Sequence, residues 1–154
     1  MYYLSDCYVR GCGVDSNYEK GMEWLRKSAD NGFAPAQTSA AMRVLGVLSP
    51  PEELKEDALK LLLKAVEEDY PPALWNLGLL YEIGQNVEKN VEKGKELEER
   101  AANLGYGHAI IELAQKAANK KDYINAKKWY ELGAKQNIKN AVRALDNYEK
   151  YGRF

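Results

Sequence analysis

The chain has 154 residues, 45% of them hydrophobic, with 22 basic and 23 acidic side chains and a formal net charge of −1. This composition is typical of a folded globular domain, and the charge balance disfavours nucleic-acid binding, which needs a basic surface to neutralise phosphates. The sequence contains no apolar run of about 18 residues that would cross a bilayer. Its N-terminal segment lacks the basic and apolar regions of a signal peptide. We therefore expect no membrane insertion and favour a cytoplasmic location.

A short pattern recurs along the chain and predicts a repeat protein. In each copy, a helical stretch finishes with small residues and then a turn residue. An alanine follows shortly after the turn residue. The steps between these alanines average about 35 residues, a period that predicts a solenoid of helix pairs. The turn residues and their alanines are Gly32 with Ala36, Asp69 with Ala73, Gly105 with Ala109, and Asn137 with Ala141.

The first and third copies of the repeat match without a gap at one constant offset. Residues that suit buried helix positions, helix ends and helix caps all fall in the same register, so the match extends beyond one short motif. The matched pairs include Leu4 with Leu77, Tyr8 with Tyr81, Gly11 with Gly84, Asn17 with Asn90, and Gly32 with Gly105.

Each repeat is predicted to consist of two helices. In the third repeat, proline at the start and Gly84 at the end favour a first helix over 72–83, and Gly105 ends a second helix over 91–104. In the second repeat, Glu52 and Glu53 follow two prolines and suit the positive start of a helix. Three residues are predicted to cap second helices with their side chains: Asn17, Asn90 and Asp122.

The predicted fold is an all-α, right-handed α/α superhelix of about four helix-turn-helix repeats and one terminal helix. The polar residues of the terminal helix suit a cap, whereas its apolar Tyr148, Tyr151 and Phe154 could cover the last repeat or mediate self-association through truncated repeat ends. As a single repeat domain over 1–154, the chain divides into units of about 1–35, 36–72, 73–108 and 109–140 and a terminal helix over 141–154.

The third repeat resembles the Sel-1-like repeat, a family similar to tetratricopeptide repeats. The resemblance rests on Ala73, Leu77-Gly78, Tyr81, Gly84, Asn90, Lys93-Gly94, Ala101-Ala102 and Gly105. It implies a non-enzymatic scaffold or adaptor that binds a peptide or partner protein. One branch of the family is secreted and cysteine-rich, but the matching helix positions here hold alanine: Ala29, Ala36, Ala102 and Ala109.

The resemblance also implies that the first helix of each repeat lines a concave groove. Met42, Trp75, Leu79 and Ile111 would form its apolar centre, although Trp75 and Leu79 could equally well pack against neighbouring repeats. The groove positions implied for partner binding are Tyr2, Asp6, Arg10, Thr38, Met42, Leu45, Trp75, Leu79, Glu82, His108, Ile111, Gln115, Arg143 and Asn147.

Residues capable of chemistry are sparse, and we predict no catalytic, cofactor or metal site. His108 is the single histidine and has no cluster of potential metal ligands beside it in the sequence. Cys7 and Cys12 are too few for a disulfide framework and are expected to be free thiols in a reducing compartment. Acidic pairs such as Glu98-Glu99 lie among lysines at helical spacing and are expected to form solvated helix faces.

The leading functional hypothesis is therefore a protein-interaction scaffold that acts without catalysis. One alternative is a cell-wall or β-lactam-binding or hydrolysing protein, as in the cysteine-rich branch of the family. Another is a helical-repeat RNA binder, which the near-zero net charge disfavours.

Overall fold

The computed structural model describes residues 1–152 and shows them as nine α-helices without a β-strand, which confirms the all-α prediction. The helices are α1 (Tyr2–Arg10), α2 (Tyr18–Asp30), α3 (Ala34–Leu45), α4 (Glu52–Glu67), α5 (Pro71–Ile83), α6 (Val91–Asn103), α7 (Gly107–Asn119), α8 (Tyr123–Lys135) and α9 (Lys139–Tyr151). We call the first helix of each pair, and the terminal helix, the A-helix (α1, α3, α5, α7 and α9) and the second helix of each pair the B-helix (α2, α4, α6 and α8).

Contacts between helices run mainly along the chain. Each A-helix with a B-helix after it packs most extensively on that B-helix, and each B-helix also packs on the next A-helix. The A-helices α3 and α5 contact each other directly as well. Because every pair buries its apolar face against its neighbours, the chain forms an α/α solenoid, as the sequence repeat predicts.

The turn from each B-helix to the next A-helix has the same form in all four places. Three residues connect the helices, and the middle one has a positive φ. In the third repeat the amide of Tyr106 then donates a hydrogen bond to the carbonyl of Ala101, which ends the B-helix. The positive-φ residues are those assigned from the sequence: Gly32 (81°), Asp69 (55°), Gly105 (90°) and Asn137 (58°).

The predicted helix caps are confirmed, and the helix bounds predicted for the third repeat are correct to within one residue. Asn17, Asn90 and Asp122 each accept a hydrogen bond from a backbone amide in the first turn of a B-helix. Gly84 ends α5 with φ of 75°. The helix α4 begins at Glu52, as the proline-acid sequence indicates.

Small residues allow the two helices of a repeat to approach closely. A Cβ atom added at Gly78 would lie 2.9 Å from the carbonyl oxygen of Gly94, and one added at Gly94 would lie 2.8 Å from the carbonyl oxygen of Gly78. The four alanines that mark the repeat are also tightly packed. None of them has any exposed surface: Ala36, Ala73, Ala109 and Ala141.

The second repeat closes its loop differently from the first and third. Gly46 keeps a right-handed conformation, so it does not form the glycine cap seen at Gly84. The side chains of the next repeat compensate: Gln85 Nε2 donates to the carbonyl of Leu45 at 2.9 Å, and Asn86 Nδ2 donates to the carbonyl of Val47 at 2.9 Å.

The terminal helix α9 begins at Lys139, slightly before the expected start at Ala141. Tyr148 is half-buried and contacts the ring of Tyr123, whereas Tyr151 is exposed. The contribution expected of Phe154 falls outside the described residues. Over residues 1–152, no helix is both long enough and apolar enough to span a membrane.

Candidate functional site

A surface depression crosses three successive A-helices, α5, α7 and α9. Its volume is about 620 Å³. Four residues implied for partner binding by the sequence lie in it together: Trp75, His108, Ile111 and Gln115. The remaining lining residues are Gly107, Glu112, Ile138 and Asn140.

Trp75 is held firmly at one wall of this depression. Its ring centroid lies 5.7 Å from that of Tyr106 and 5.9 Å from that of His108, which stacks on it. Its indole Nε1 donates a hydrogen bond of 2.8 Å to Glu112 Oε2 in the next repeat. Trp75 therefore joins two repeats and also presents part of its half-buried ring to the depression.

The first repeat contains the same arrangement. Tyr2, which occupies the position of Trp75 in the repeat register, packs on Phe33 at a centroid distance of 5.4 Å. Its hydroxyl shares a hydrogen bond of 3.2 Å with Ser39 Oγ. In the same register Phe33 corresponds to Tyr106, and Ser39 corresponds to Glu112. An aromatic residue at this position thus links neighbouring repeats by one ring contact and one hydrogen bond.

Beside the depression, Lys116 lies at the centre of three carboxylates. Its Nζ is 2.7 Å from Glu98 Oε2, 2.9 Å from Glu82 Oε2 and 3.2 Å from Glu112 Oε1. We call these four residues the Lys116 cluster. Because Glu112 also accepts the hydrogen bond from Trp75, the cluster connects the wall of the depression to helices α5 and α6.

In the Lys116 cluster, burial and ion pairing shift the pKa values in opposite directions. Burial lowers the pKa of Lys116, but hydrogen bonds to Glu98 and Glu82 outweigh it and raise the pKa overall. Burial raises the pKa of Glu98, and the hydrogen bond and charge of Lys116 offset only part of that rise. With three acidic groups and one basic group, the cluster makes this side of the depression negative when all four are ionised.

The burial of Glu98 corrects the expectation of a solvated Glu98-Glu99 face. Only 1% of Glu98 is exposed, whereas Glu99 is exposed. The repeat register offers a pattern that would have revealed this burial, because Glu98 takes the position held by the buried Leu62 in the second repeat. Lys116 similarly takes the position held by the buried Leu80 on α5. Complementary charges thus replace two apolar side chains.

Several residues implied for the groove are engaged elsewhere. Thr38 is buried and its hydroxyl donates to the carbonyl of Ala34 in its own helix, so it offers no group to a partner. Leu45 is fully buried in the core. These two implied assignments are wrong. Thr38 pairs its hydroxyl within one turn of its own helix, as helix threonines commonly do. Leu45 is covered because the end of α3 lies beneath the loop of the next repeat.

The other implied residues lie outside the depression at Trp75. Asp6 and Arg10 form an exposed ion pair of 2.8 Å on α1. Met42 is half-buried and packs against the core, and Leu79 is half-buried on α5. Arg143 and Asn147 lie on α9, and Tyr2 and Glu82 make the contacts described above.

Five residues belong to the site but were not identified from the sequence. Tyr106 packs on Trp75, Glu112 accepts its hydrogen bond, and three others line the depression: Gly107, Ile138 and Asn140. Glu112 and Asn140 occupy positions that differ in character from one repeat to the next, so the repeat pattern does not single them out. Tyr106 follows the turn residue, where the preceding turns hold Phe33 and Tyr70, and this recurring aromatic is a signal that could have identified it.

The chemistry available at this site is that of binding. Apolar, amide and carboxylate groups face the depression together, a combination that suits contact with another polypeptide. Over the part of the chain described, no group of three or more His, Cys, Asp or Glu side chains is arranged to hold a metal ion.

Comparisons with known proteins agree with this fold. A crystal structure of a Sel1 repeat protein from Oxalobacter formigenes superposes with a TM-score of 0.78 at 24% identity, over 99% of this chain and 63% of that one. A protective antigen of uropathogenic Escherichia coli that displays an SLR fold superposes with a TM-score of 0.75 at 23% identity, over 99% of this chain and 33% of that one.

A curated relative is an uncharacterized protein of Neisseria meningitidis serogroup B. It is 29% identical over 129 residues, which are 84% of this chain and 27% of the relative. The chain thus spans about a quarter of the length of this relative. The Sel1 repeat family model matches residues 1–33, 71–106 and 120–138, more than half of the chain. Together with the helical solenoid, these matches show that the chain belongs to the Sel1 repeat family.

Proposed function

We propose that this protein is a non-enzymatic interaction scaffold that holds a peptide segment of a partner protein in the depression at Trp75. Sel1 repeats commonly mediate protein interactions. The observation that carries the proposal is the convergence of Trp75, His108, Ile111 and Gln115 from α5 and α7 on one depression. Its volume accommodates a few side chains of a bound segment rather than a whole domain.

The residues that line the depression offer both apolar and polar groups to a bound segment. Ile111 and the ring of Trp75 supply apolar surface for an anchoring side chain. Gln115 and Asn140 are exposed and carry amide groups that both donate and accept hydrogen bonds, which suits a peptide backbone. Because the ring contacts of Trp75 and its bond to Glu112 fix the wall in place, little conformational entropy is lost there on binding.

A peptide-display selection tests this proposal. The immobilised protein selects binders from a random peptide library, and each enriched peptide is then measured against Gln115→Arg and Ile124→Arg. Gln115 is exposed in the depression, and an arginine there would fill it. Ile124 is 85% exposed on α8 and provides the matched control. Both variants are expected to melt like the wild type, because neither position is buried.

The expected result is a set of peptides that bind Ile124→Arg as tightly as the wild type and bind Gln115→Arg at least about tenfold more weakly. A tenfold weaker affinity corresponds to the loss of one good contact. Peptides that bind both variants as well as they bind the wild type would place the binding surface elsewhere. A selection that enriches no peptide would also count against a peptide groove.

A further inference from the structure

Two cysteines flank the helix cap at the end of α1. Cys7 is half-buried on α1, Cys12 is exposed in the following loop, and both are free thiols. Gly11 lies between them with φ of 74°, which reverses the chain. The amide of Cys12 consequently donates a hydrogen bond of 3.0 Å to the carbonyl oxygen of Cys7.

This hydrogen bond limits the separation of the two cysteines. With the N···O distance of 3.0 Å, standard bond lengths place their Cα atoms at most about 7 Å apart. A disulfide spans Cα atoms about 4.4–6.8 Å apart. In this type of helix cap, the side chains of the two residues joined by the bond commonly contact each other.

The backbone geometry belongs to the repeat, whereas the thiols are particular to its first copy. In the third repeat the amide of Gln85 donates to the carbonyl of Leu80 at 3.1 Å, and Gly84 takes the place of Gly11. Leucine and glutamine at those positions cannot be oxidised to a cross-link. The cap therefore places two thiols on residues joined by its hydrogen bond only where Cys7 and Cys12 occupy it.

We propose that Cys7 and Cys12 form a site of reversible oxidation by a low-molecular-weight disulfide such as oxidised glutathione. The exposed Cys12 thiolate attacks one sulfur of the oxidant, and a glutathione thiolate leaves. The Cys7 thiolate then attacks the Cys12 sulfur and releases a second glutathione thiolate. The two protein thiols are oxidised to one disulfide, one oxidised glutathione is reduced to two glutathiones, and the two thiol protons pass through solvent to the two leaving glutathione thiolates.

Other hydrogen bonds fix the loop that carries Cys12. The amide of Asn17 donates to the carbonyl of Tyr8 at 2.7 Å, and Ser16 Oγ donates to the carbonyl of Val9 at 3.2 Å. These bonds hold the path of the loop without involving either thiol. This site is independent of the depression at Trp75, and its cysteines are not at the positions implied for the cysteine-rich branch of the family.

Peptide mapping tests the site directly. The protein is equilibrated in buffers of defined oxidised and reduced glutathione, remaining thiols are alkylated, and the protein is digested with trypsin without reduction. Trypsin cleaves after Arg10 and Lys20, between and beyond the cysteines. We expect the fragments 1–10 and 11–20 to appear as one linked species, about 2 Da lighter than their summed mass.

The variants Cys7→Ser and Cys12→Ser are the matched controls. Each variant keeps one thiol, so each is expected to form only a glutathione adduct. Half-protection of that thiol against alkylation should need a ratio of oxidised to reduced glutathione at least about tenfold higher than in the wild type, because closure of the disulfide ring in the wild type is intramolecular. Two separate glutathione adducts on the wild type would overturn the proposal. Disulfide-linked dimers, or two thiols that stay reduced where the single-cysteine variants are modified, would overturn it as well.

Discussion

The carboxylate of Glu98 lies 2.7 Å from the ammonium group of Lys116, and this pair joins the B-helix α6 to the A-helix α7 across a repeat boundary. Glu98 is almost completely buried, whereas the side chain of Lys116 is 36% exposed. At the boundary between α4 and α5, the repeat register places the buried Leu62 and Leu80 at these two positions. At these two positions the boundary between the third and fourth repeats carries an ion pair, whereas the preceding boundary carries two apolar side chains.

Removing the lysine from this cluster should destabilise the fold. Lys116→Met leaves three carboxylates without their cation, one of them buried, and we expect a loss of about 2–4 kcal/mol in the free energy of unfolding. Lys60→Met removes an exposed ion pair with Asp57 and should cost less than about 1 kcal/mol. Urea denaturation of both variants measures the difference. Equal losses would contradict a special contribution from the Lys116 cluster.

Replacing Glu98 and Lys116 together should recover part of that loss, since only Glu82 and Glu112 then remain without their cation. The double variant Glu98→Leu with Lys116→Leu restores the residue types found at Leu62 and Leu80. Well-packed apolar replacements of buried ion pairs are often neutral or stabilising by about 1–4 kcal/mol. Urea denaturation measures this variant beside Lys116→Met. A double variant less stable than Lys116→Met would show that the pocket around the pair cannot accept apolar side chains.

The raised pKa of Glu98 predicts a particular dependence of stability on pH. Burial raises its pKa in the folded state above the ordinary value of 4.5. Its favourable contribution is therefore fully present below that unfolded value and is lost as the pH rises through the folded pKa. The stability of the wild type relative to Glu98→Gln should increase as the pH falls from neutral towards 4.5. Urea denaturation of both proteins at several pH values measures this, and a relative stability that falls would contradict the direction of the shift.

The close approach of α5 and α6 should make Gly94 intolerant of a side chain. A methyl group there would lie 2.7 Å from Glu82 Cγ and 2.8 Å from the carbonyl oxygen of Gly78, so Gly94→Ala should cost about 1–3 kcal/mol. At Gly107, the first residue of α7, the added methyl would meet only the flexible end of Ile138. Gly107→Ala should be neutral or stabilising by up to about 1 kcal/mol. Thermal unfolding compares the two, and equal melting temperatures would contradict the close approach.

The indole N–H of Trp75 should contribute measurably to the boundary it crosses. Trp75→Phe removes the 2.8 Å hydrogen bond to Glu112 but keeps an aromatic ring, and we expect a loss of about 1–3 kcal/mol in the free energy of unfolding. Trp24→Phe is the control, because the ring of Trp24 on α2 contacts Lys27 through its face. Urea denaturation compares the two variants. If Trp24→Phe lowers the free energy of unfolding as much as Trp75→Phe does, the hydrogen bond has no special weight.

The elements of this fold follow closely from local sequence, because the residues that set them act within a few positions of themselves. Asn90 caps the helix that follows it, and Gly84 ends one with a left-handed conformation. Both effects are chemical properties of the residue itself. The repeat register could then be fixed from the alanines that recur after each turn.

The depression was only partly predictable, because its residues act across repeats. Trp75 meets Glu112, which lies 37 positions further along the chain, and no local pattern pairs them. Glu98 illustrates a different difficulty: its sequence neighbours are charged, so a helical pattern indicates a solvated face. Comparison with the buried Leu25 in the first repeat and Leu62 in the second shows that its position faces the core.

The two kinds of connection in this chain differ in how much variation they tolerate. Every B-helix is joined to the next A-helix by three residues, whereas the loops inside repeats range from three residues between α7 and α8 to seven between α5 and α6. The constant joint is the covalent link between successive repeats, and a change of length in an inner loop leaves it as it is. The α3–α4 and α5–α6 loops nevertheless bond to each other through Gln85 and Asn86, so these two inner loops are the least suited to a graft or tag.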